Sequence, residues 1–167
     1  EYGYLKGTIN PLNFYALSKA TVDYWVLDNM DRFEQVQGFR YFNVYGEGEE
    51  HKGDQASPIS KFTKQAKETK VIKIFEDSEY AFRDFVCVDD VVDVVLDNTA
   101  GSGIYDVGTG NPISFLEIAE MIAKKEGAEI EVIPFPKHLE GKYQEYTCAD
   151  NSWYQHDYKS VKSYLQA

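Results

Sequence analysis

At 167 residues, 43% apolar and 15% aromatic, the chain has the length and composition of one packed domain rather than a disordered segment. A formal charge of −11 with no lysine- or arginine-rich run excludes a nucleic-acid or anionic-membrane binder. Cys87 and Cys148 cannot form a disulfide framework and have no zinc spacing, so no metal is expected. No apolar run is long enough to span a bilayer and no secretory signal is visible, so a cytoplasmic protein with reduced thiols is expected.

In chain order, residues 1–13 are rich in Gly and Tyr, and Asn10-Pro11 is a turn signal. Residues 15 to about 30 read as a helix whose apolar positions partly follow the helical period, leaving Asp23 and Asp28 for solvent. A strand is predicted over 36–44, broken by Gly46-Glu47-Gly48, and 47–57 is a charged, Gly-rich loop of the kind that carries function. Pro58 sits in the first turn of a helix over 57–69. A strand over 71–75, a turn at Asp77-Ser78 and a strand over 81–88 carrying Arg83 follow. Asp89-Asp90 are assigned as the cap of a helix over 91–98, and 103–107 is a buried strand ending in Gly108-Thr109-Gly110. Ser114 and Glu117 form a capping box for a helix over 115–126 that stops at Gly127. A strand over 130–135 and a short helix over 158–165 complete the pattern, without internal repeats. Strands alternating with helices predict α/β layers.

Tyr-x-x-x-Lys occurs three times, at Tyr2/Lys6, Tyr15/Lys19 and Tyr158/Lys162, where this composition gives about one by chance. Glycines weaken the first as a helix, and the third lies in a polar segment. Only Tyr15/Lys19 opens a long helical pattern that feeds a strand. Four residues apart on a helix, phenol and ammonium share a face and can together exchange a proton with a sugar hydroxyl. On spacing alone, a Tyr15 that caps a core beside a solvated Lys19 is an equal alternative.

Tyr15-x-x-x-Lys19 followed by Arg40-Tyr41-Phe42-Asn43-Val44-Tyr45-Gly46 resembles the C-terminal half of the extended short-chain dehydrogenases/reductases that act on nucleotide sugars. His51-Lys52-Gly53, Phe75-Glu76-Asp77-Ser78, Arg83-Asp84-Phe85-Val86 and Gly141-Lys142-Tyr143-Gln144 narrow the resemblance to the branch that epimerises ADP-glycero-manno-heptoses at C6 for lipopolysaccharide precursors. The resemblance implies an α/β fold over 1–167 in which the last Rossmann-like elements interleave with a small substrate-binding domain. It also implies an NADP-dependent isomerase that oxidises a sugar carbon transiently and reduces it from the other face. Tyr15 and Lys52 would then be the two acid/base groups, with Lys19, Val44 and Lys52 toward the cofactor. Asn43, Asp54, Lys61, Phe75, Glu76, Asp77, Ser78, Arg83 and Tyr143 would face an ADP-heptose-type nucleotide sugar. Arg83 is assigned to its pyrophosphate, a task suited to a bidentate guanidinium.

Each of these residues also has a plainer reading. Lys52 is otherwise a solvated loop lysine, Asn43 a turn former, Arg83 a surface pair with Asp84 or Glu79, and Tyr143 a surface tyrosine. The sequence departs from the resemblance as well. Glu47-Gly48-Glu49-Glu50 stands where many relatives carry Pro-Arg, Asp54 replaces a small hydroxyl residue, and Lys61 replaces a histidine. No Gly-x-Gly-x-x-Gly loop occurs, and Gly108-x-Gly110 is late and lacks the third glycine. The N-terminal dinucleotide-binding half is therefore expected to be missing, leaving the isolated chain inactive, and an open sheet edge is expected to favour a homo-oligomer. Another nucleotide-sugar epimerase or dehydratase, or a non-catalytic sugar-nucleotide-binding remnant, are the alternatives.

Overall fold

Asn13 starts the first helix by accepting a hydrogen bond at Oδ1 from the Ala16 amide at 2.8 Å. The computed structural model describes residues 11, 13–137 and 144–166, so Tyr2/Lys6 and Tyr143 lie outside the described residues. Helix α1 (Phe14–Asp28) buries only Ala16, Ala20 and Asp23. Asp23, assigned to solvent from the sequence, is thus a correction: it accepts from Arg40 Nε at 2.7 Å. Arg40 sits on β1 (Gln37–Tyr41) and also lies 3.7 Å from Asp106 Oδ1. Burial pushes the Asp106 carboxyl above the usual carboxylate range, against the pull of the Asp150 amide and the Arg40 charge.

The strand predicted over 36–44 is two strands, because its partner changes. β1 runs parallel to β6 (Gly103–Val107), with Gln37 opposite Gly103, whereas β2 (Asn43–Tyr45) runs parallel to β5 (Phe85–Cys87), with Asn43 opposite Phe85. At the handover the Phe42 amide donates to the Val107 carbonyl at 3.1 Å and the Asn43 amide to the Asp84 carbonyl at 3.0 Å. The strand predicted over 81–88 divides likewise, into β4 (Phe82–Arg83), antiparallel to β7 (Ile113–Ser114), and β5. The divider is Asp84, which is fully buried. Its carboxylate accepts from the Thr109 amide at 2.8 Å, Thr109 Oγ1 at 2.7 Å, the Gly110 amide at 2.8 Å and the Ala149 amide at 3.0 Å. A Cβ on Gly108 would stand 2.8 Å from Asp84 Oδ2, so only glycine admits this approach.

The main core lies among α2 (Pro58–Thr69), β3 (Val71–Phe75), α4 (Phe115–Glu126), β8 (Glu129–Ile133) and α5 (Val161–Gln166). Ser57 caps α2, and Ser114 with Glu117 forms the expected capping box on α4, which ends at Gly127 with φ 62°. Their helical period turns Ile59, Phe62 and Ala66 toward Ile118, Ala119 and Ile122. Parallel strands β3 and β8 close the layer, Ile72 and Ile74 facing inward. A smaller core gathers Val86, Val91, Val94 and Val107 under α3 (Val88–Asp97). That helix begins three residues earlier than predicted, so Asp89 and Asp90 lie in its first turn and do not cap it. Asp90 is buried and accepts from the Lys159 amide at 2.9 Å. Among the described residues no helix is long and apolar enough to cross a membrane.

Candidate functional site

A cleft of about 1050 Å³ opens between β2, the loop that follows it, the start of α2 and the turn between β3 and β4. β2 contributes Asn43 and Val44; Val44 stands opposite Val86 in the strand pairing and packs on the smaller core. The loop contributes Lys52. Expected as a charged, Gly-rich loop, it forms a 3-10 helix over Glu50–Gln55 with Gly53 at φ 53°. Lys52 Nζ lies 3.6 Å from Glu49 Oε2. α2 contributes Lys61, exposed on the cleft side of the helix.

Phe75, Glu76, Asp77 and Ser78 line the opposite wall. The Phe75 ring meets Phe135 edge-on at 5.6 Å between centroids. Asp77 takes φ 61°, and Ser78 Oγ donates to the Phe75 carbonyl at 2.6 Å, which fixes the turn. Arg83 lines the same cleft and is 2% exposed, so it is no surface ion pair. Its guanidinium donates to the Phe82 carbonyl at 2.8 Å and to the Gln144 carbonyl, and lies 5.7 Å from the Phe115 ring centroid.

Eight sequence-derived positions plus Lys52 therefore meet in one cleft: Asn43, Val44, Lys61, Arg83 and the four of the 75–78 turn. Three described positions do not line it. Tyr15 and Lys19 are exposed on α1, with Lys19 Nζ 5.2 Å from the Tyr15 ring centroid, and Asp54 is exposed on the 3-10 helix. Tyr143 falls outside the described residues. The cleft concentrates Lys52, Lys61, Lys73 and Arg83 in a chain of net charge −11, alongside Glu49, Glu76, Asp77 and Glu145. Such a lining suits a ligand that is anionic at one end and hydroxylated elsewhere. Sequence reasoning missed Glu49, Phe115 and Phe135. The two phenylalanines carry no motif, and Glu49 in Glu47-Gly48-Glu49-Glu50 reads as a solvated charge.

Comparison with known proteins follows the same lines. ADP-L-glycero-D-manno-heptose-6-epimerase of Alkalilimnicola ehrlichii is 45% identical over 152 residues, 85% of this chain and 48% of the relative. Its namesake from Brachyspira hyodysenteriae is 47% identical over 147 residues, 84% of this chain and 46% of the relative. The crystal structure of the Helicobacter pylori protein of the same name superposes with a TM-score of 0.79 at 26% identity, covering 99% of this chain and 53% of that one. The chain spans about half the length of the curated relatives it matches. A match to the family description over residues 2–108, well over half of the sequence, means that the chain belongs to the NAD dependent epimerase/dehydratase family.

Proposed function

We propose that this chain is the substrate-binding half of a nucleotide-sugar epimerase that inverts C6 of an ADP-glycero-manno-heptose with NADP as redox cofactor. The carrying observation is that Lys52, Arg83 and the 75–78 turn share one cleft. They belong to the segments by which the sequence resembles the heptose epimerases. Relatives bearing that name, at 45% and 47% identity, support the same reading.

The residues present fit only the nicotinamide end of a dinucleotide. The Tyr15 phenol and Lys19 amine stand exposed together on α1, while residues 1–167 contain no glycine-rich phosphate loop. Lys19 would hold the nicotinamide ribose, and Val44 would line the cofactor through its backbone. A bound nicotinamide supplies hydride acceptance and return. The chain's own residues orient the sugar and move protons. Tyr15 and Lys52 are assigned the two proton transfers that inversion requires on opposite faces of the sugar. Arg83, its fork already oriented by the Phe82 and Gln144 carbonyls, is assigned to the pyrophosphate, and the 75–78 turn to the adenosine side. Asn43, Lys61 and Tyr143 are assigned to the substrate, whereas Asp54 stands outside the cleft. A cytoplasmic homo-oligomer completes the proposal, supported by the exposed apolar side of α1 and read by light scattering.

Calorimetry on the chain tests the reading: ADP-glucose should bind and NADP should not. Turnover of ADP-glycero-manno-heptose with NADP should be absent for the chain alone and appear when a dinucleotide-binding half is supplied. Absence of ADP-sugar binding overturns the proposal, and tighter binding of UDP-sugars would favour another nucleotide-sugar enzyme.

A further inference from the structure

Glu49 is 4% exposed yet carries a carboxylate, and both oxygens are in use. Oε1 accepts from the Gly46 amide at 3.2 Å and from Ser57 Oγ at 2.7 Å. Oε2 accepts from the Ser57 amide at 2.7 Å and lies 3.6 Å from Lys52 Nζ. One side chain thus holds both ends of the segment 46–57 and touches the lysine at its middle. Ser57 is at the same time the N-cap of α2, accepting from the Ser60 amide at 3.2 Å, so the loop, the helix and the lysine are tied at one point.

We propose that Glu49 is a positioning residue that presets Lys52 in the cleft, making the segment 46–57 a stapled arm rather than a swinging one. The proposal rests on the reading of Lys52 as an acid/base group. Its chemistry is that of an acceptor-only group: a carboxylate can satisfy three donors and an ammonium together. A glutamine of the same shape cannot, because its NH2, placed at either oxygen's position, would face a backbone amide, that of Gly46 or Ser57, which can only donate. Burial alone would push the Glu49 carboxyl up, but the Ser57 and Gly46 hydrogen bonds and the Lys52 charge outweigh it and hold it below its ordinary value. The anion is therefore the form the loop is built around. Ser57 and Glu49 both line the cleft, so the staple is part of the wall that a ligand meets.

The test is NMR of the chain after reductive 13C-methylation of its lysines, which keeps their charge, with the Lys52 signal assigned by its loss in Lys52→Arg. In the ligand-free wild type the Lys52 signal should be resolved from the exposed-lysine envelope, and in Glu49→Gln it should merge with it. Addition of ADP-glucose should move the wild-type signal. In Glu49→Gln the displacement at saturating ADP-glucose should fall at least threefold. An unmoved Lys52 signal in a folded Glu49→Gln overturns the proposal. If that variant does not fold, Ser57→Ala, which removes one donor and leaves the carboxylate, should give a partial collapse of the Lys52 signal, and a wild-type spectrum there overturns it equally. The two readings fail separately. Full turnover by Lys52→Arg, with the dinucleotide-binding half supplied, removes the acid/base role of Lys52 and leaves the ligand-free result on Glu49 standing.

Discussion

The two ends of this molecule use apolar residues in opposite ways. In the block of α2, β3, α4, β8 and α5, Ile59, Ile72, Ile118 and Ile122 are at most 3% exposed and interlock from both helices and the strand. On α1 the large apolar residues turn outward: Phe14 is 89% exposed, and Leu17, Val22, Trp25 and Leu27 are each exposed by about half. What holds α1 to β1 and β6 is small and polar, namely Ala16, Ala20 and the Asp23–Arg40 contact. The block draws stability from desolvated area and close packing. α1 offers an apolar surface and is fastened by a largely buried ion pair, so helicity there and core-building are separate properties.

Asp84 ties β2 to the turn after β6 and to Ala149, and breaking it should have the largest effect. It receives the Asn43 amide on its backbone while its carboxylate holds Thr109, Gly110 and Ala149. Asp84→Ala leaves those buried donors unpaired, a loss on the order of 4 kcal/mol. Urea unfolding followed by tryptophan fluorescence and by far-UV dichroism should then cease to coincide, because the tie between β5 and the turn after β6 is gone. Coincident transitions would mean that β2 and the turn after β6 are coupled by something other than this carboxylate.

Within the block, Ile118→Ala should cost about 3 kcal/mol in chemical denaturation, since the side chain is fully buried among α2, β3 and α4. The effect should appear in all probes alike. An effect near zero would show that the block is loosely packed and that the contrast with α1 is false.

This block was also the most legible part of the sequence. β3 and α4 fall on their predicted bounds, as β6 does outside the block, because their signals are local: an apolar run, a capping box, a glycine stop. The breaks at Phe42 and Asp84 were not legible, since each is caused by a change of partner strand far along the chain. Asp89-Asp90 misled because an acidic pair before an apolar run reads as a cap, whereas Asp90 is committed to the Lys159 amide. The site was legible where a motif carries it, as at Lys52, Arg83 and the 75–78 turn. Glu49 was illegible because its role depends on Gly46 and Ser57 meeting in space.

Glu49 gives the comparison a pH axis. Its folded value lies below the ordinary 4.5, so it contributes stability that is present above that value and lost as pH falls through the lower folded value. Denaturation midpoints measured from pH 6 to pH 3 should therefore fall more for the wild type than for Glu49→Gln. At pH 7 the variant should be less stable by about 2 kcal/mol, and the gap should narrow on acidification. A gap that widens in acid would reverse the assigned direction.

The smallest effect is expected on the outer side of α1. Leu17 is half-exposed and touches no core, so Leu17→Gln should change stability by less than about 0.5 kcal/mol, even though the same exchange inside the block would be severe. Ala20, three residues on and 1% exposed, is the internal control: Ala20→Leu overfills the buried side of α1 and should cost about 1–3 kcal/mol. Hydrogen exchange on the α1 amides separates the two substitutions, Ala20→Leu raising exchange along the helix and Leu17→Gln leaving it unchanged. A large loss with Leu17→Gln that vanishes on dilution would mean that a second copy covers this side in solution. α1 would then be a buried element after all, its burial supplied between chains rather than within one.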